Sequence, residues 1–179
     1  MAALRLVSIV GRKDAGKTTL TVALAAEFVR RGRRVMTMKH AHHPVQPDRE
    51  GTDSWRHFNE GRAERTLLVA PATRMLLERA ADDTDPVELA QRYLGGAEIV
   101  LVEGFRKAAL PKIEVFRQAV APAPIWEAGL PDADDWIALV TDGPRPEAHC
   151  PVLRFQDTMW LQFLANLAWD GAKVVAGEA

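Results

Sequence analysis

Residues Gly11, Arg12, Lys13, Asp14, Ala15, Gly16, Lys17, Thr18 and Thr19 spell G-x-x-x-x-G-K-T-T, the pattern of a phosphate-cradling P-loop. The flanks constrain the fold more than the letters do. An apolar run, Leu4-Arg5-Leu6-Val7-Ser8-Ile9-Val10, enters the loop, and a helix-period segment, Leu20 to Val29, leaves it. A strand feeding a glycine loop that opens a helix aims backbone N–H groups and the positive end of the helix dipole at one anion. Gly11 and Gly16 allow the backbone to approach closely. Lys17 is placed to reach β- and γ-phosphates as a point charge, and the Thr18 hydroxyl suits magnesium.

The rest of the chain is consistent with one domain, residues 1–170, followed by a frayed tail at 171–179. A length of 179 residues supports a sizeable core. A net charge of -1 gives no case for a bulk polyanion such as nucleic acid. The single cysteine, Cys150, excludes an internal disulfide and fits a reducing cytoplasm. No apolar run reaches the ~18 residues of a membrane span, and the first residues lack the three regions of a signal peptide.

Read in order, the first helix ends near Arg30-Arg31-Gly32, and Val35-Met36-Thr37-Met38 forms the next strand. Strand, helix, strand in this order implies a right-handed parallel crossover. A loop follows, Lys39-His40-Ala41-His42-His43 through Asp48 to Ser54, then a short helix capped by Thr52 or Asp53. Thr66–Ala70 is a third strand candidate. Ala72–Ala80 and Pro86–Leu94 read as helices. Ile99-Val100-Leu101-Val102 has the continuous apolar character of a central parallel strand and ends in Glu103-Gly104. Lys112 to Arg117 alternates polar and apolar, as a half-buried edge strand does. Trp136–Val140 and Pro151–Phe155 are further strands, and 157–169 a last helix. The fold class is therefore α/β: a three-layer P-loop NTPase fold, its mostly parallel sheet flanked by helices, with an antiparallel edge extension.

In such sheets ligands sit beyond the carboxyl ends of the strands. Four strands here end in polar clusters: the P-loop, Lys39–His43, Glu103-Gly104 and Thr141-Asp142. Glu103 stands at the Walker-B place, where a carboxylate holds magnesium directly or through water. Asp53, and to a lesser extent Asp48, offers another carboxylate, with a helix-cap role as the alternative for either. The crowded histidines lack the paired spacing of a zinc site. Lys39, His42 and His43 suit an anion instead, with simple solvation as the alternative. Five of the six lysines, Lys13, Lys17, Lys39, Lys107 and Lys112, fall in or beside these clusters, which suggests a second anion site near Lys39, Arg106, Lys107 and Lys112. Chance placement on exposed loops is the alternative. No glutamine or arginine finger is identifiable near the loop, so slow unaided hydrolysis is expected.

Taken together, G-x-x-x-x-G-K-T-T-L at 11–20, K-H-x-H-H at 39–43, D-x-x-G-x-D-S-x-R at 48–56, V-E-G-F at 102–105 and P-K-I-E-V at 111–115 resemble the molybdopterin-guanine dinucleotide biosynthesis protein B family. The resemblance covers about two thirds of the chain. It implies a GTP-binding protein with weak magnesium-dependent GTPase activity. It also implies a homodimer, formed through an extended sheet, that acts beside the guanylyltransferase joining GMP to molybdopterin. Supply of nucleotide or delivery of cofactor to molybdoenzymes follows from the same likeness, with molybdopterin as a candidate bound ligand. By position, Lys17 and Glu103 would be catalytic, and Gly11 to Thr19 would hold phosphates. Thr18, Asp53 and Glu103 would lie near magnesium. Lys39, His42, His43, Asp48, Asp53 and Arg56 match the family's second motif. The guanine-reading N-K-x-D is absent. Thr141 and Asp142 are the candidates to meet the guanine N1 and N2 donors, with a simple turn as the alternative. Two other functions remain open: an ATP-dependent ligase or kinase of the dethiobiotin-synthetase type, and a non-catalytic adaptor gated by nucleotide.

Overall fold

The computed structural model describes residues 3–41, 43–80 and 85–176. In chain order its elements are β1 (Leu4–Val10), α1 (Lys17–Arg30), β2 (Val35–Lys39), α2 (Asp53–Asn59), β3 (Arg65–Ala70), β4 (Thr73–Glu78), α3 (Pro86–Tyr93), β5 (Ile99–Glu103), β6 (Lys112–Phe116), β7 (Trp136–Thr141), β8 (Val152–Arg154), α4 (Trp160–Gly171) and β9 (Lys173–Val175). They divide into two compact units, Met1–His40 with Asp85–Ala179, and Ala41–Thr84.

The first unit is a seven-stranded sheet in the order β2-β5-β1-β6-β7-β8, parallel throughout, with β9 antiparallel against β1. Alternation along the central strands feeds two helical layers. Val7, Ile9, Ile99 and Leu101 face one core, built with Leu20, Leu24 and Phe28 of α1 and Leu164, Ala165 and Ala168 of α4. Leu4, Leu6, Val100 and Val102 face another, with Ala90 of α3 and Leu110. The two long helices are also clamped by charge. Buried Glu27 accepts from Arg30 and Arg31, and these guanidinium groups hold its carboxyl down to about 2. Arg31 also donates to Asn166 Oδ1 at 2.7 Å and to the Gln162 carbonyl at 2.9 Å, tying α1 to α4.

The second unit holds α2 and the two-stranded antiparallel sheet β3–β4. The Thr52 hydroxyl caps α2 by accepting from Trp55 N. Asp48 accepts from Ser54 Oγ at 2.7 Å, Thr52 Oγ1 at 3.1 Å and Arg49 N at 2.8 Å. These donors, Ser54 first, lower its carboxyl pKa.

Three expectations are corrected. Residues 72–80, expected to be helical, instead contain β4, which pairs in register with β3 from Arg65↔Glu78 to Ala70↔Thr73. Ala72, at φ 61, makes the tight return. The Lys112 strand is not a half-buried edge. It lies between β1 and β7 with all five residues buried, because both of its charges find partners. Lys112 Nζ pairs with Asp135 at 2.8 Å and Asp132 at 3.3 Å. Glu114 accepts from the backbone of Ile125 and Trp126 and from Trp136 Nε1. Finally, residues 173–175 do not fray. The half of β1 that β6 leaves uncovered offers free backbone groups, and β9 takes them through Leu4↔Val175, Arg5↔Val174 and Leu6↔Lys173.

Candidate phosphate and metal site

Parallel register delivers the polar strand ends to one edge of the first unit. Ile9 and Lys39 both stand opposite Glu103, and Phe116 stands opposite Thr141. The P-loop leaves β1 there. Gly11, at φ 150, passes so close to β6 that a Cβ would come within 2.6 Å of the Val115 carbonyl oxygen. Gly16, at φ 99, turns the chain into α1 in a left-handed conformation that a side chain would strain. Asp14 also adopts positive φ, at 63°. Ala15 is buried and anchors the loop, while Arg12, Lys13, Asp14, Thr18 and Thr19 are exposed. Lys17 Nζ donates to the carbonyls of Gly11 at 3.0 Å and Arg12 at 2.8 Å, which holds its charge over the loop's own backbone.

The structure brings two of the three expected metal ligands together. Thr18 Oγ1 donates to Glu103 Oε1 at 2.9 Å, although 85 residues separate them. Glu103 is nearly buried at the end of β5. Lys39 joins the pair, with Nζ 3.0 Å from Glu103 Oε1 and 3.5 Å from Thr18 Oγ1. The end of β5 is fixed from both sides. His40 N donates to the Glu103 carbonyl and Gly104 N to the Ile9 carbonyl, both backbone links, while Ser8 Oγ donates to the Gly104 carbonyl. Gly104 sits at φ 99, and a Cβ there would also press on His40 Cβ at 3.0 Å. The His40 ring stacks on Phe105, with centroids 4.4 Å apart.

The other predicted residues are distributed differently. Asp53 is the first residue of α2, in the second unit, where its charge favours the helix N-terminus. Asp48 is engaged in the network around that same end, and Arg56 pairs with Glu60 at 2.9 Å. His43 is exposed, and His42 lies outside the described residues. Lys107 is exposed on the first unit. Lys112 is corrected outright: it is fully buried and neutralised by two aspartates, so its ammonium is not available to a second anion. Thr141 is buried at the end of β7, its Oγ1 accepting from Gly143 N, and Asp142 is exposed and accepts from Gln118 N at 3.3 Å. Arg117, which the sequence reading passed over, lies with its guanidinium against Gly16.

The donor set fits a small hard cation. A hydroxyl and one carboxylate share a corner at the loop, and magnesium is commonly held by one or two carboxylates together with substrate phosphates. Among the described residues no group of three or more His, Cys, Asp or Glu forms a complete metal cage. Thr18 and Glu103 would hold magnesium, and it would supply charge neutralisation at phosphate oxygens. Lys39 already places positive charge on the Glu103 and Thr18 oxygens.

A glycine loop between a buried parallel strand and the first helix, with a carboxylate on the neighbouring strand, defines an α/β protein of the P-loop NTPase-like class. The family described as "Molybdopterin guanine dinucleotide synthesis protein B" matches residues 6–142, and the chain belongs to that family. Among curated relatives, the molybdopterin-guanine dinucleotide biosynthesis adapter protein of Haemophilus influenzae is 33% identical over 141 residues, 78% of this chain and 75% of that protein. The protein of the same name from Escherichia coli is 29% identical over 123 residues, 66% of this chain and 69% of that one. The crystal structure of Bacillus subtilis MobB superposes with a TM-score of 0.66 at 20% identity, covering 94% of this chain and 98% of that one. A MobB homologue from Bacillus stearothermophilus gives 0.63 at 24%, covering 91% and 97%. These likenesses show the fold. Among the described residues no helix is long and apolar enough to cross a membrane.

Proposed function

We propose that this protein is a cytoplasmic GTP-binding adapter in molybdopterin guanine dinucleotide synthesis, binding nucleotide with magnesium and hydrolysing it slowly. The observation that carries the reading is the P-loop with Thr18 and Glu103 joined at its first helical turn. Family membership and the adapter names of its relatives supply the pathway. The guanylyltransferase that joins GMP to molybdopterin is the partner this role requires, with molybdoenzymes as recipients. Asp142 is the proposed contact for the guanine N1 and N2 donors.

Competition calorimetry of GTP against ATP, with and without magnesium, tests the reading. GTP is expected to bind more tightly than ATP, and magnesium to tighten GTP binding in the wild type but not in Glu103→Gln. Equal magnesium dependence in both proteins would remove Glu103 from the metal site, and tighter ATP binding would favour the ligase or kinase class. Repeating the titration with molybdopterin present reads out whether the pterin binds directly.

A homodimer formed through β3–β4 is part of the same proposal. A two-stranded sheet alone is marginal in water. This one exposes Leu67, Leu68, Val69 and Leu76, and each strand pairs only with the other among the described residues. Sedimentation is expected to give a dimer that Leu67→Lys with Val69→Lys converts to monomer. A wild type that sediments as a monomer at every concentration would end the dimer proposal.

A further inference from the structure

We propose that Arg117 is a further cation of the phosphate site, beside Lys17 and Lys39, supplied by β6 rather than by the loop. The proposal rests on the nucleotide reading above and adds a residue to that site. Arg117 is the first residue beyond β6, and β6 runs beside β1, with Val10 opposite Glu114. The two strands therefore deliver Arg117 and the P-loop to the same edge. A Cβ built on Gly16 would stand 3.6 Å from Arg117 Nε, 3.7 Å from Nη2 and 3.9 Å from Cζ, so the guanidinium lies against the glycine that opens α1.

Its bonding is incomplete. Arg117 Nε is buried and has no hydrogen-bond partner. No carboxylate among the described residues pairs with the guanidinium, in contrast to Lys112 four residues before the end of the same strand segment, which has two. The group is held instead by an aromatic shelf. Cζ lies 5.2 Å from the centroid of the Phe155 ring, which is itself braced edge-on by Trp160. A ring fixes the position of a guanidinium while leaving its donors unspent. A buried donor left unsatisfied is costly unless something completes it. An arginine fork is suited to take phosphate oxygens in pairs. Lys17 bridges the loop at Gly11 and Arg12, whereas Arg117 meets it at Gly16. Lys17 and Arg117 thus address different parts of one cradle.

The test is calorimetric titration of the full chain with GTP and magnesium, comparing wild type, Arg117→Gln, Arg117→Lys and Lys17→Ala, with urea midpoints measured alongside. Arg117→Gln is expected to weaken GTP binding by about 10- to 100-fold. Arg117→Lys should recover part of that loss, since it keeps the charge without the fork. If Arg117 merely covers Phe155, the urea midpoints fall while the folded variants bind GTP as the wild type does; that result overturns the proposal. Should Arg117→Gln fail to fold, wild-type affinity in Arg117→Lys overturns it equally. Binding that is lost in Lys17→Ala yet unchanged at Arg117 removes this proposal and leaves the P-loop reading intact. A wild type that binds no nucleotide removes both.

Discussion

Lys17→Ala is expected to lower GTP affinity by more than about 100-fold, on the basis of two charge-assisted hydrogen bonds at about 1.5–3 kcal/mol each. Lys17 is the first residue of α1, and its Nζ spans the loop by donating to the Gly11 and Arg12 carbonyls. A bound phosphate chain competes for that ammonium, and its charge makes it the stronger acceptor. Alanine removes the charge while keeping a good helix former at the position, so the loop should still fold. Fluorescence or calorimetric titration checks this, with circular dichroism to confirm the fold. A Lys17→Ala protein that binds GTP within a few-fold of the wild type would show that nucleotide does not use this loop.

The largest expected effect on stability is at Glu114. Its carboxylate is 1% exposed within β6. It gathers three donors, Ile125 N, Trp126 N at 2.9 Å and Trp136 Nε1 at 3.2 Å. Burial raises its pKa, against the opposing pull of those donors. Glu114→Leu has nearly the right volume but strands all three N–H groups. At about 1–3 kcal/mol for each donor that water does not recover, the loss should be about 3 kcal/mol or more. In urea this appears as a lower midpoint with an unchanged slope. Glu114→Gln, which retains one acceptor oxygen, should fall between the two. A Glu114→Leu midpoint equal to the wild type would mean that these hydrogen bonds add nothing net.

These two residues mark where sequence reading succeeds and where it stops. The P-loop was legible because its strand, glycine turn and helix are contiguous, and every requirement is met within residues 4–30. Glu103 was legible because a buried parallel strand announces its own carboxyl end. β6 was misread because its buried charges look like a solvated face until their partners are known. Those partners lie from 11 to 23 residues further on. Residues 72–80 are rich in Met, Leu, Arg and Glu, good helix formers locally, yet pairing with β3 overrides that preference. Arg117 was accessible by the same logic that found Glu103, as the first residue past a parallel strand. Reading β6 as an edge strand hid it. The boundary that leaves Lys39 and His40 in the first unit, and His43, Asp48, Asp53 and Arg56 in the second, had no sequence signal, because it falls inside the K-H-x-H-H stretch.

The pairing of β9 with β1 has a practical consequence for engineering. Leu4 lies beside Val175, while the same strand carries the phosphate loop at its other end, about 20 Å away by strand rise. The first and last strands of the described chain thus neighbour each other on the far side of the sheet from the nucleotide edge. A change that weakens the β9 pairing therefore acts on β1 at the end remote from the cradle, leaving the loop's own strand, turn and helix contacts in place.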